Sequence, residues 1–416
     1  MSRTVSAWVT SGGDFLGAAG PFPVGVPWWS EVEPVIAHLH HTLGVPVMVL
    51  RLLDVDGGDG SRDGHVTYHV EALRRPAPGL LTQGPLDDAL LKLTGHEELR
   101  APWARADGLR EILGWASDTL AAAGRPVTGP VEQRRTWNLA GLFRLPTAQG
   151  PVWLKTTPHF AADEAAVISA FARFDPGLVP TVVGAGERRI LLEHLPGEDC
   201  WDASPETITS AVSRLVAAQA AVAGLPGGSP PGLRDRRTSV TADQVRDLLD
   251  GEVARELTAE ELAAARELLA RWPVLDECGL PDTIVHGDFH PGNWRSDGGP
   301  PVVVDFADAH WGNPVLDGLR AYDYLPQAKR PTAARAWIDA WERHLPGCQP
   351  RRALAIAEPL AHLSYALRYQ EFLDGIEPSE KIYHLGDPVG VIRNALLCAS
   401  VPNPHFQAQD LRSGPE

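Results

Sequence analysis

Residues 285–293 read Val-His-Gly-Asp-Phe-His-Pro-Gly-Asn, and residues 302–308 read Val-Val-Val-Asp-Phe-Ala-Asp. The first stretch places Asn293 five positions after Asp288, and the Pro-Gly pair between them predicts a tight turn. The second stretch is a short apolar run, typical of a strand, that delivers Asp305 at its end. We therefore expect these three polar side chains to meet at one point of the fold.

Two carboxylates and one amide in this order suit phosphoryl transfer, in which a protein mainly positions the reactants and neutralises charge. Asp288 is the candidate for orienting the acceptor hydroxyl and for taking its proton late. Asn293 and Asp305 provide hard oxygen ligands, which suit a Mg²⁺ ion that is also bound by nucleotide phosphates. The pattern predicts a Mg²⁺-dependent phosphotransferase that uses ATP or GTP.

The other polar residues of this region have less certain roles. We expect His286 to pack and hydrogen-bond within the loop rather than to transfer protons. His290 is a possible contact for substrate or phosphate. Asp308 is a possible neighbour of the metal, and Asp317 is expected to brace the loop backbone or to cap a helix.

The composition bounds the class of protein. A chain of 416 residues predicts two or three folding units, and 44% hydrophobic with 22% charged residues is typical of a globular protein. The net charge of −16 disfavours nucleic acid and anionic membranes as partners. It is compatible with a cationic substrate, although such a charge more often serves solubility.

The cysteines and the hydropathy pattern indicate the compartment. The four cysteines are far apart and form no CxxC pair, which argues against a disulfide framework or a structural zinc site. The N-terminus has no long apolar segment, and no run approaches the ~18 apolar residues of a membrane helix. We expect a soluble cytoplasmic protein.

Three zones follow one another along the chain. Residues 1–125 alternate between helical and strand patterns, which predicts a small accessory α/β domain in which residues 45–53 and 65–73 pair as a hairpin. Residues 126–195 have the order strand, strand, helix, strand, strand, which is that of a nucleotide-binding lobe. Residues 196–416 are mostly helical and contain the motif loop and the expected acceptor site.

The motif region resembles the aminoglycoside phosphotransferase family of kinase-like enzymes, which includes choline, fructosamine and homoserine kinase relatives. The matching residues are His286-Gly287-Asp288, Asn293, Asp305 and the continuation Gly-Asn-Pro-Val-Leu-Asp at 312–317. The resemblance covers roughly residues 130–400. It implies an α+β, two-lobed protein-kinase-like fold, here with an extra N-terminal α/β domain. It also implies catalysis by Asp288 and metal binding by Asn293 and Asp305.

The same resemblance assigns the nucleotide-binding residues. Lys155 stands near the end of a predicted strand, where kinase-like enzymes place the lysine that pairs with the α- and β-phosphates. Glu164, early in the next helix, is its expected ion-pair partner. Glu193 and Leu195 belong to the expected hinge, whose backbone meets the nucleotide base.

Two departures from protein kinases stand out. Ala307 occupies the position where protein kinases carry the third-position Gly after the metal-binding Asp, which fits the small-molecule branch better. The hairpin at residues 137–153 has no GxGxxG motif, the glycine-rich loop that covers the nucleotide phosphates in protein kinases.

The acceptor is expected to contact the helical lobe after Asp305. Any single candidate there is more often a solvated helix face, but together the carboxylates would suit a cationic acceptor. The candidates are Asp323, Tyr365, Tyr369, Glu371, Asp374 and Glu377, in addition to His290.

Three functions remain open from the sequence. The first is a kinase for the hydroxyl of a small molecule such as an amino sugar, an aminoglycoside-like compound or a related metabolite. The second is a Ser/Thr kinase acting on a peptide in natural-product maturation. The third is a catalytically silent nucleotide-binding scaffold, which the intact set of Asp288, Asn293 and Asp305 argues against. A homodimer is possible in each case.

Overall fold

The computed structural model describes residues 3–82, 95–230, 232–401 and 403–406. Among these residues the chain forms two compact units. The first contains residues up to Phe160, Val182–His194 and Phe372–Leu385. The second contains Ala161–Thr181, Leu195–Glu371 and the described residues from Gly386 onward.

The first unit contains two sheets. Its strands are β1 (Arg3–Ser11), β2 (Asp14–Val24), β3 (Val47–Asp56), β4 (His65–Ala72), β5 (Glu132–Trp137), β6 (Ala140–Leu145), β7 (Val152–Thr156), β8 (Val182–Gly186) and β9 (Arg189–Glu193). Its helices are α1 (Glu33–Leu43) and α2 (Ala106–Ala122). The four-stranded sheet has the order β2-β1-β4-β3, and the five-stranded sheet has the order β5-β6-β7-β9-β8.

Strand β3 is apolar along most of its length because it contributes to two hydrophobic cores. Val47, Val49 and Leu52 pack into the core shared with β1, β4 and α1. Met48 and Leu50 point the other way, into the core shared with α2 and the five-stranded sheet. Successive strand residues face opposite sides, so a strand buried on both faces shows no polar alternation.

The hairpins predicted in this unit are confirmed. Strand β3 pairs antiparallel with β4, and β6 pairs antiparallel with β7. Strands β1 and β2, which form the antiparallel edge of the first sheet, were not predicted. Apolar residues at every second position, Val5, Ala7 and Val9, are the sequence signal that could have identified β1, and all three are buried.

The second unit is mainly helical. Its helices are α3 (Glu164–Ala172), α4 (Pro205–Ala223), α5 (Thr238–Asp250), α6 (Ala259–Leu268), α7 (Arg271–Asp276), α8 (Val315–Tyr324), α9 (Arg330–His344), α10 (Pro350–Gly375) and α11 (Asp387–Ser400). Its short strands are β10 (Glu198–Asp199), β11 (Arg234–Arg236), β12 (Thr283–Val285), β13 (Trp294–Ser296), β14 (Val302–Val303) and β15 (His310–Gly312). The last turn of α10 runs into residues assigned to the first unit. None of the described helices is long and apolar enough to cross a membrane.

Helix α4 shows how local signals set an element. The Ser204 side chain accepts a hydrogen bond from the backbone N–H of Thr207, and Pro205 opens the first turn, as the sequence predicted. One face of α4 is buried, and the helix packs against α9, which carries the fully buried Trp337 and Trp341.

Helix α3 belongs to the second unit, although the predicted nucleotide-binding lobe of residues 126–195 includes it. The backbone N–H of Ala162 donates to the carbonyl of Ala307, and the Phe171 and Phe306 rings lie 5.8 Å apart. These contacts attach α3 to the segment that follows Asp305. The three-zone division itself stays a prediction.

Candidate active site

The motif loop follows β12 and is fixed by one buried carboxylate. Asp317, on α8, accepts hydrogen bonds from the backbone N–H groups of His286 and Gly287 at 2.8 and 2.9 Å. Gly287 has a φ of 85°, and a Cβ there would overlap the carbonyl oxygen of Asp308. The bracing role expected for Asp317 is confirmed. His286 is fully buried and bonds within the loop and to the Val304 carbonyl, as expected.

Asp288 lies at the centre of the site and has three side-chain partners. Its Oδ1 accepts from Nε of Arg320 at 2.8 Å. Its Oδ2 accepts from Nδ2 of Asn293 at 3.1 Å and lies 3.3 Å from Nε2 of His290. Burial raises the pKa of the Asp288 carboxyl, but the charges of Arg320 and His290 outweigh it and hold that pKa well below its usual range. Asp288 is therefore an anion at any physiological pH and a weak base.

Asn293 and the start of the Asp305 segment are held together by backbone pairing. The turn Pro291–Asn293 leads into β13, which pairs antiparallel with β14, and the N–H of Val304 donates to the Asn293 carbonyl at 2.9 Å. The Asn293 amide nitrogen is committed to Asp288. Its Oδ1 is therefore the atom that can face a cation.

Asp305 is an exposed residue with a φ of 66°, in the left-handed region that few non-glycine residues adopt. Such conformations occur disproportionately where a side chain has to be aimed at a functional site. Just after it, the N–H of Phe306 donates to Oε2 of Glu164 at 3.0 Å. The backbone next to Asp305 is thus fixed by a buried glutamate of α3.

An aromatic column stands beside Asp288. The His290 ring stacks between Trp201, at 5.3 Å, and Tyr324, at 4.7 Å. The Arg320 guanidinium lies 4.3 Å from the Tyr324 ring and 4.6 Å from the Tyr365 ring. Trp201 and Tyr324 are both about 40% exposed, so the column offers apolar surface next to the carboxylate.

The residues expected to bind the nucleotide lie in both units. Lys155 is buried on β7, opposite Leu142 of β6 and Ile190 of β9. Glu193 ends β9 and forms an ion pair with Arg125, with one contact at 3.0 Å. Leu195 belongs to the second unit, as does Glu164. The pairing of Lys155 with Glu164 and the hinge role of Glu193 and Leu195 stay predictions.

The acceptor candidates are divided between the two units. His290 lies against Asp288. Burial raises the pKa of Tyr369 to about 12, although the positive charge of Arg320 acts to lower it. Burial and the nearby Glu358 raise the pKa of Asp323 to about 6. Asp374 belongs to the first unit. Their roles in acceptor binding stay predictions.

The remaining two carboxylate candidates are held by arginines. Glu371 pairs with Arg236 and Arg368 in the second unit. Glu377 pairs with Arg51 at 3.3 Å and Arg100 at 2.9 Å in the first unit. Neither group therefore offers the uncompensated negative charge that a cationic acceptor would need.

The sequence reasoning missed Arg320 and Trp201. Arg320 stands three residues after Asp317 on α8, which places both side chains on the same helix face. Because Asp317 was recognised as a loop brace, that spacing was the available signal for Arg320. Nothing in the spacing of Trp201, which is far away in sequence, indicated its position.

No group of three or more His, Cys, Asp or Glu side chains arranged to hold a metal occurs in the described part of the chain. Asn293 and Asp305 nevertheless fit Mg²⁺, which keeps several waters and is usually bound through one or two protein ligands together with substrate phosphates. An amide oxygen and a strained, exposed carboxylate on adjoining segments are suitable donors for such a site.

Comparison with known proteins identifies the family. Residues 138–354, more than half of the chain, match the model of a phosphotransferase enzyme family abbreviated APH. The chain belongs to the APH phosphotransferase family. It is therefore a phosphotransferase. No curated protein matches the chain.

Solved structures show the fold. An ethanolamine kinase from Plasmodium vivax has a TM-score of 0.50 at 10% identity, over 65% of this chain and 83% of that one. A choline/ethanolamine kinase family protein from Mesorhizobium loti has a TM-score of 0.49 at 18% identity, over 71% and 96%. A macrolide 2'-phosphotransferase from Brachybacterium faecium has a TM-score of 0.45 at 20% identity, over 67% and 97%. The expected protein-kinase-like α+β fold is confirmed, with a four-stranded sheet in the N-terminal region where an extra α/β domain was expected.

Proposed function

We propose that this protein is a Mg²⁺-dependent kinase that transfers the γ-phosphate of ATP or GTP to a hydroxyl of a small molecule. The observation that carries the proposal is the arrangement around Asp288. A carboxylate held ionised by Arg320 stands beside Asn293, and the segment that presents Asp305 is bonded to Asn293. Family membership supplies the reaction class. The proteins with a similar fold include an ethanolamine kinase and a choline/ethanolamine kinase family protein, and ethanolamine and choline are small compounds with a hydroxyl group.

Asp288 would orient the acceptor hydroxyl by accepting its hydrogen bond. A carboxylate with so low a pKa is a poor base for the free hydroxyl. It suits a loose transition state, in which the acceptor proton becomes acidic only after the bond to phosphorus begins to form. The proton then passes to Asp288 late in the reaction.

Asn293 Oδ1 and the Asp305 carboxylate would hold the Mg²⁺, which neutralises charge on the transferring phosphate. Lys155 would contact the α- and β-phosphates, with Glu164 fixing the segment after Asp305. The backbone of Glu193 and Leu195 would meet the base. A cytoplasmic location belongs to the same proposal, supported by four free cysteines, and a homodimer stays a prediction.

The test is a screen of nucleotide consumption over a library of hydroxyl and amine compounds and Ser/Thr peptides, with mass spectrometry of the products. We expect one phosphate to be added to a small-molecule hydroxyl. Asp288→Ala should lower turnover by about 10²–10⁴-fold while nucleotide binding, measured by calorimetry, is retained. Asp297→Ala, at an exposed position in the β13–β14 turn, is the matched control.

Two results would contradict the proposal. Nucleotide binding without transfer to any acceptor, unchanged by Asp288→Ala, would indicate a silent scaffold. Phosphate gained only on peptides would indicate a peptide kinase.

A further inference from the structure

A cavity in the second unit adjoins the motif loop and is rich in arginine. Gly287, the residue before Asp288, forms part of its wall, as does Asp308. The side chains that give the cavity its chemistry are those of Arg234, Arg236, Arg368, Asp308, His310 and Tyr365.

Positively charged side chains outnumber negatively charged ones among the residues that line this cavity. Arg368 donates to Asp308 at 2.9 Å and to Glu371 at 2.9 Å, and Arg236 is also bonded to Glu371. Arg234 lies 3.8 Å from the same Glu371. Among the described side chains that line the cavity, three guanidinium groups face one carboxylate, that of Asp308, so the wall is mainly positive in a protein whose overall charge is −16.

Repulsion between these positive charges contributes to the lowered pKa values of two basic residues in the cavity wall, Arg234 and His310. Burial and the neighbouring charge of Arg368 lower the pKa of Arg234 to about 10. Burial, with the repulsion of Arg234 and Arg236, lowers the pKa of His310 to about 3, so His310 is neutral. A buried positive excess is unfavourable until an anion offsets it.

Two buried polar atoms of the cavity wall have no hydrogen-bond partner among the described residues. They are Nε2 of His310, a residue only 8% exposed, and the hydroxyl of Tyr365. His310 Nδ1 lies 3.1 Å from the Asp308 carbonyl, so it carries the proton and Nε2 is a free acceptor. The tyrosine hydroxyl can donate. Buried polar groups are normally satisfied, so both atoms indicate a polar ligand.

Two residues of the cavity wall are neighbours of the Asp288 site: Gly287 precedes Asp288 in the chain, and Tyr365 contacts a side chain bonded to Asp288. One face of the Tyr365 ring lies against the Arg320 guanidinium at 4.6 Å, and Arg320 in turn bonds Asp288.

We propose that this cavity binds an oxyanion of the acceptor, a carboxylate or a phosphate, through Arg234, Arg236 and Arg368. The inference rests on the proposed function, because it takes the cavity as part of the acceptor site. Planar guanidinium groups bind carboxylate and phosphate oxygens in pairs, the Tyr365 hydroxyl donates to the same anion, and His310 Nε2 accepts from a neighbouring hydroxyl or amine of the acceptor. The acceptor is thus anionic, in contrast to the cationic acceptor that the helical carboxylates had suggested.

The first experiment measures anion binding without turnover. The thermal midpoint of the protein is compared in sodium phosphate and in sodium chloride at equal ionic strength. We expect phosphate to raise the midpoint of the wild type by about 2 °C, through binding to the folded state. Arg234→Gln should remove most of this difference, and Arg234→Lys should keep part of it.

Two control variants and one further test variant identify the site. Arg237→Gln removes the same charge at an exposed position of the same segment and should leave the difference intact. Lys155→Gln removes the phosphate contact expected at the nucleotide site and should also leave it. If Arg234→Gln does not fold, Tyr365→Phe removes only the hydroxyl and should reduce the difference. Equal shifts in wild type, Arg234→Gln and Tyr365→Phe would overturn the proposal.

The second experiment tests the acceptor. Glycerate, glycerol 3-phosphate, glycerol and 2-amino-1,3-propanediol share a three-carbon scaffold and differ in charge, so turnover separates carboxylate, phosphate, neutral and cationic acceptors. We expect the wild type to phosphorylate glycerate or glycerol 3-phosphate. Arg234→Gln should raise the KM for that compound about tenfold and leave kcat little changed.

The two proposals fail in different ways. If Arg234→Gln loses phosphate binding but no compound of the full library is phosphorylated, the anion-site proposal is supported and the kinase proposal is rejected. Transfer to neutral or cationic acceptors, with a KM that Arg234→Gln does not change, would reject the anion site and keep the kinase.

Discussion

Arg320 donates from Nε to Oδ1 of Asp288 over 2.8 Å, across 32 residues of sequence, and this ion pair helps to hold the pKa of the Asp288 carboxyl well below its usual range. The guanidinium is itself held between the rings of Tyr324 and Tyr365. Burial alone would raise the pKa of Asp288, and the charges and hydrogen bonds of Arg320 and His290 outweigh it. Asp288 is kept as an oriented acceptor of hydrogen bonds rather than as a strong base.

Replacing Arg320 by Met should therefore bring the titration of Asp288 into the measurable pH range. The folded pKa of Asp288 is depressed, so its favourable contribution is complete above the unfolded pKa and is lost only as pH falls through the folded value. In Arg320→Met the acid limb of kcat/KM should move to higher pH by roughly 1–3 units. The measurement is a pH–rate profile with a single acceptor.

Arg335→Met is the control, because Arg335 is an exposed arginine on α9. Its profile should match that of the wild type. An unchanged acid limb in Arg320→Met would show that Arg320 does not set the ionisation of Asp288.

Substitutions at Asp305 should separate metal binding from backbone strain. Asp305→Asn, Asp305→Gly and Asp305→Ala all remove the charged ligand, so each should raise the Mg²⁺ concentration for half-maximal activity by about tenfold or more. Only Ala is poorly suited to the φ of 66°, because Asn and Gly tolerate the left-handed region. Asp305→Ala should be about 1 kcal/mol less stable than Asp305→Asn in urea unfolding. Equal stabilities would mean that the conformation costs nothing.

Gly292 should be required for the aromatic column rather than for folding. A Cβ at this position would lie 2.5 Å from Cζ2 of Trp201 and 2.8 Å from Cε1 of His290. Gly292→Ala should therefore displace the exposed Trp201 side chain and the His290 ring, and turnover should fall while the unfolding free energy changes by less than about 1 kcal/mol. Tryptophan fluorescence and turnover are the two measurements.

Gly299→Ala is the matched control. Gly299 is exposed in the β13–β14 turn, and a Cβ there would meet only the Asp297 side chain at 3.5 Å. Turnover and fluorescence of this variant should equal those of the wild type. A normal turnover in Gly292→Ala would show that the position of Trp201 and His290 does not affect the reaction.

Glu380 in the first unit should make stability depend on pH. Burial, together with the charge of Glu377, raises its pKa from 4.5 to about 8, and its Oε1 accepts from the backbone N–H of Leu52 at 3.2 Å. Because the folded pKa lies above the unfolded value, the proton-linked stability is complete below about pH 4.5 and is lost as pH rises through about 8.

Glu380→Gln keeps the hydrogen-bond acceptor and removes this loss. It should match the wild type near pH 4.5 and exceed its unfolding free energy by on the order of 2 kcal/mol at pH 8, measured in urea. Glu98→Gln, at an exposed position of the same unit, should change neither value. A constant difference between Glu380→Gln and wild type at both pH values would contradict the shift.

Local signals account for the elements that were predicted well. Ser204 and Pro205 mark the start of α4, and the Pro-Gly pair before Asn293 marks the turn that returns it to Asp288, because caps and turns depend on neighbouring residues alone. The strand before Asp305 was also recognised, although only Val302–Val303 pair as a strand. Strands β1 and β2 were missed. Strand β1 joins the sheet by pairing with β4, whose residues lie about 60 positions further along the chain.

The sequence by itself predicted the class of reaction, because Asp288, Asn293 and Asp305 stand close together along the chain in a recognisable order. The tertiary structure decided the charge that surrounds them. Arg320, and the group formed by Arg234, Arg236 and Arg368, come from separate elements that meet only when α8, α10 and β11 pack around the motif loop. Burial and the charge of Arg320 act on the pKa of Asp288 in opposite directions, and neither can be calculated from spacing along the chain.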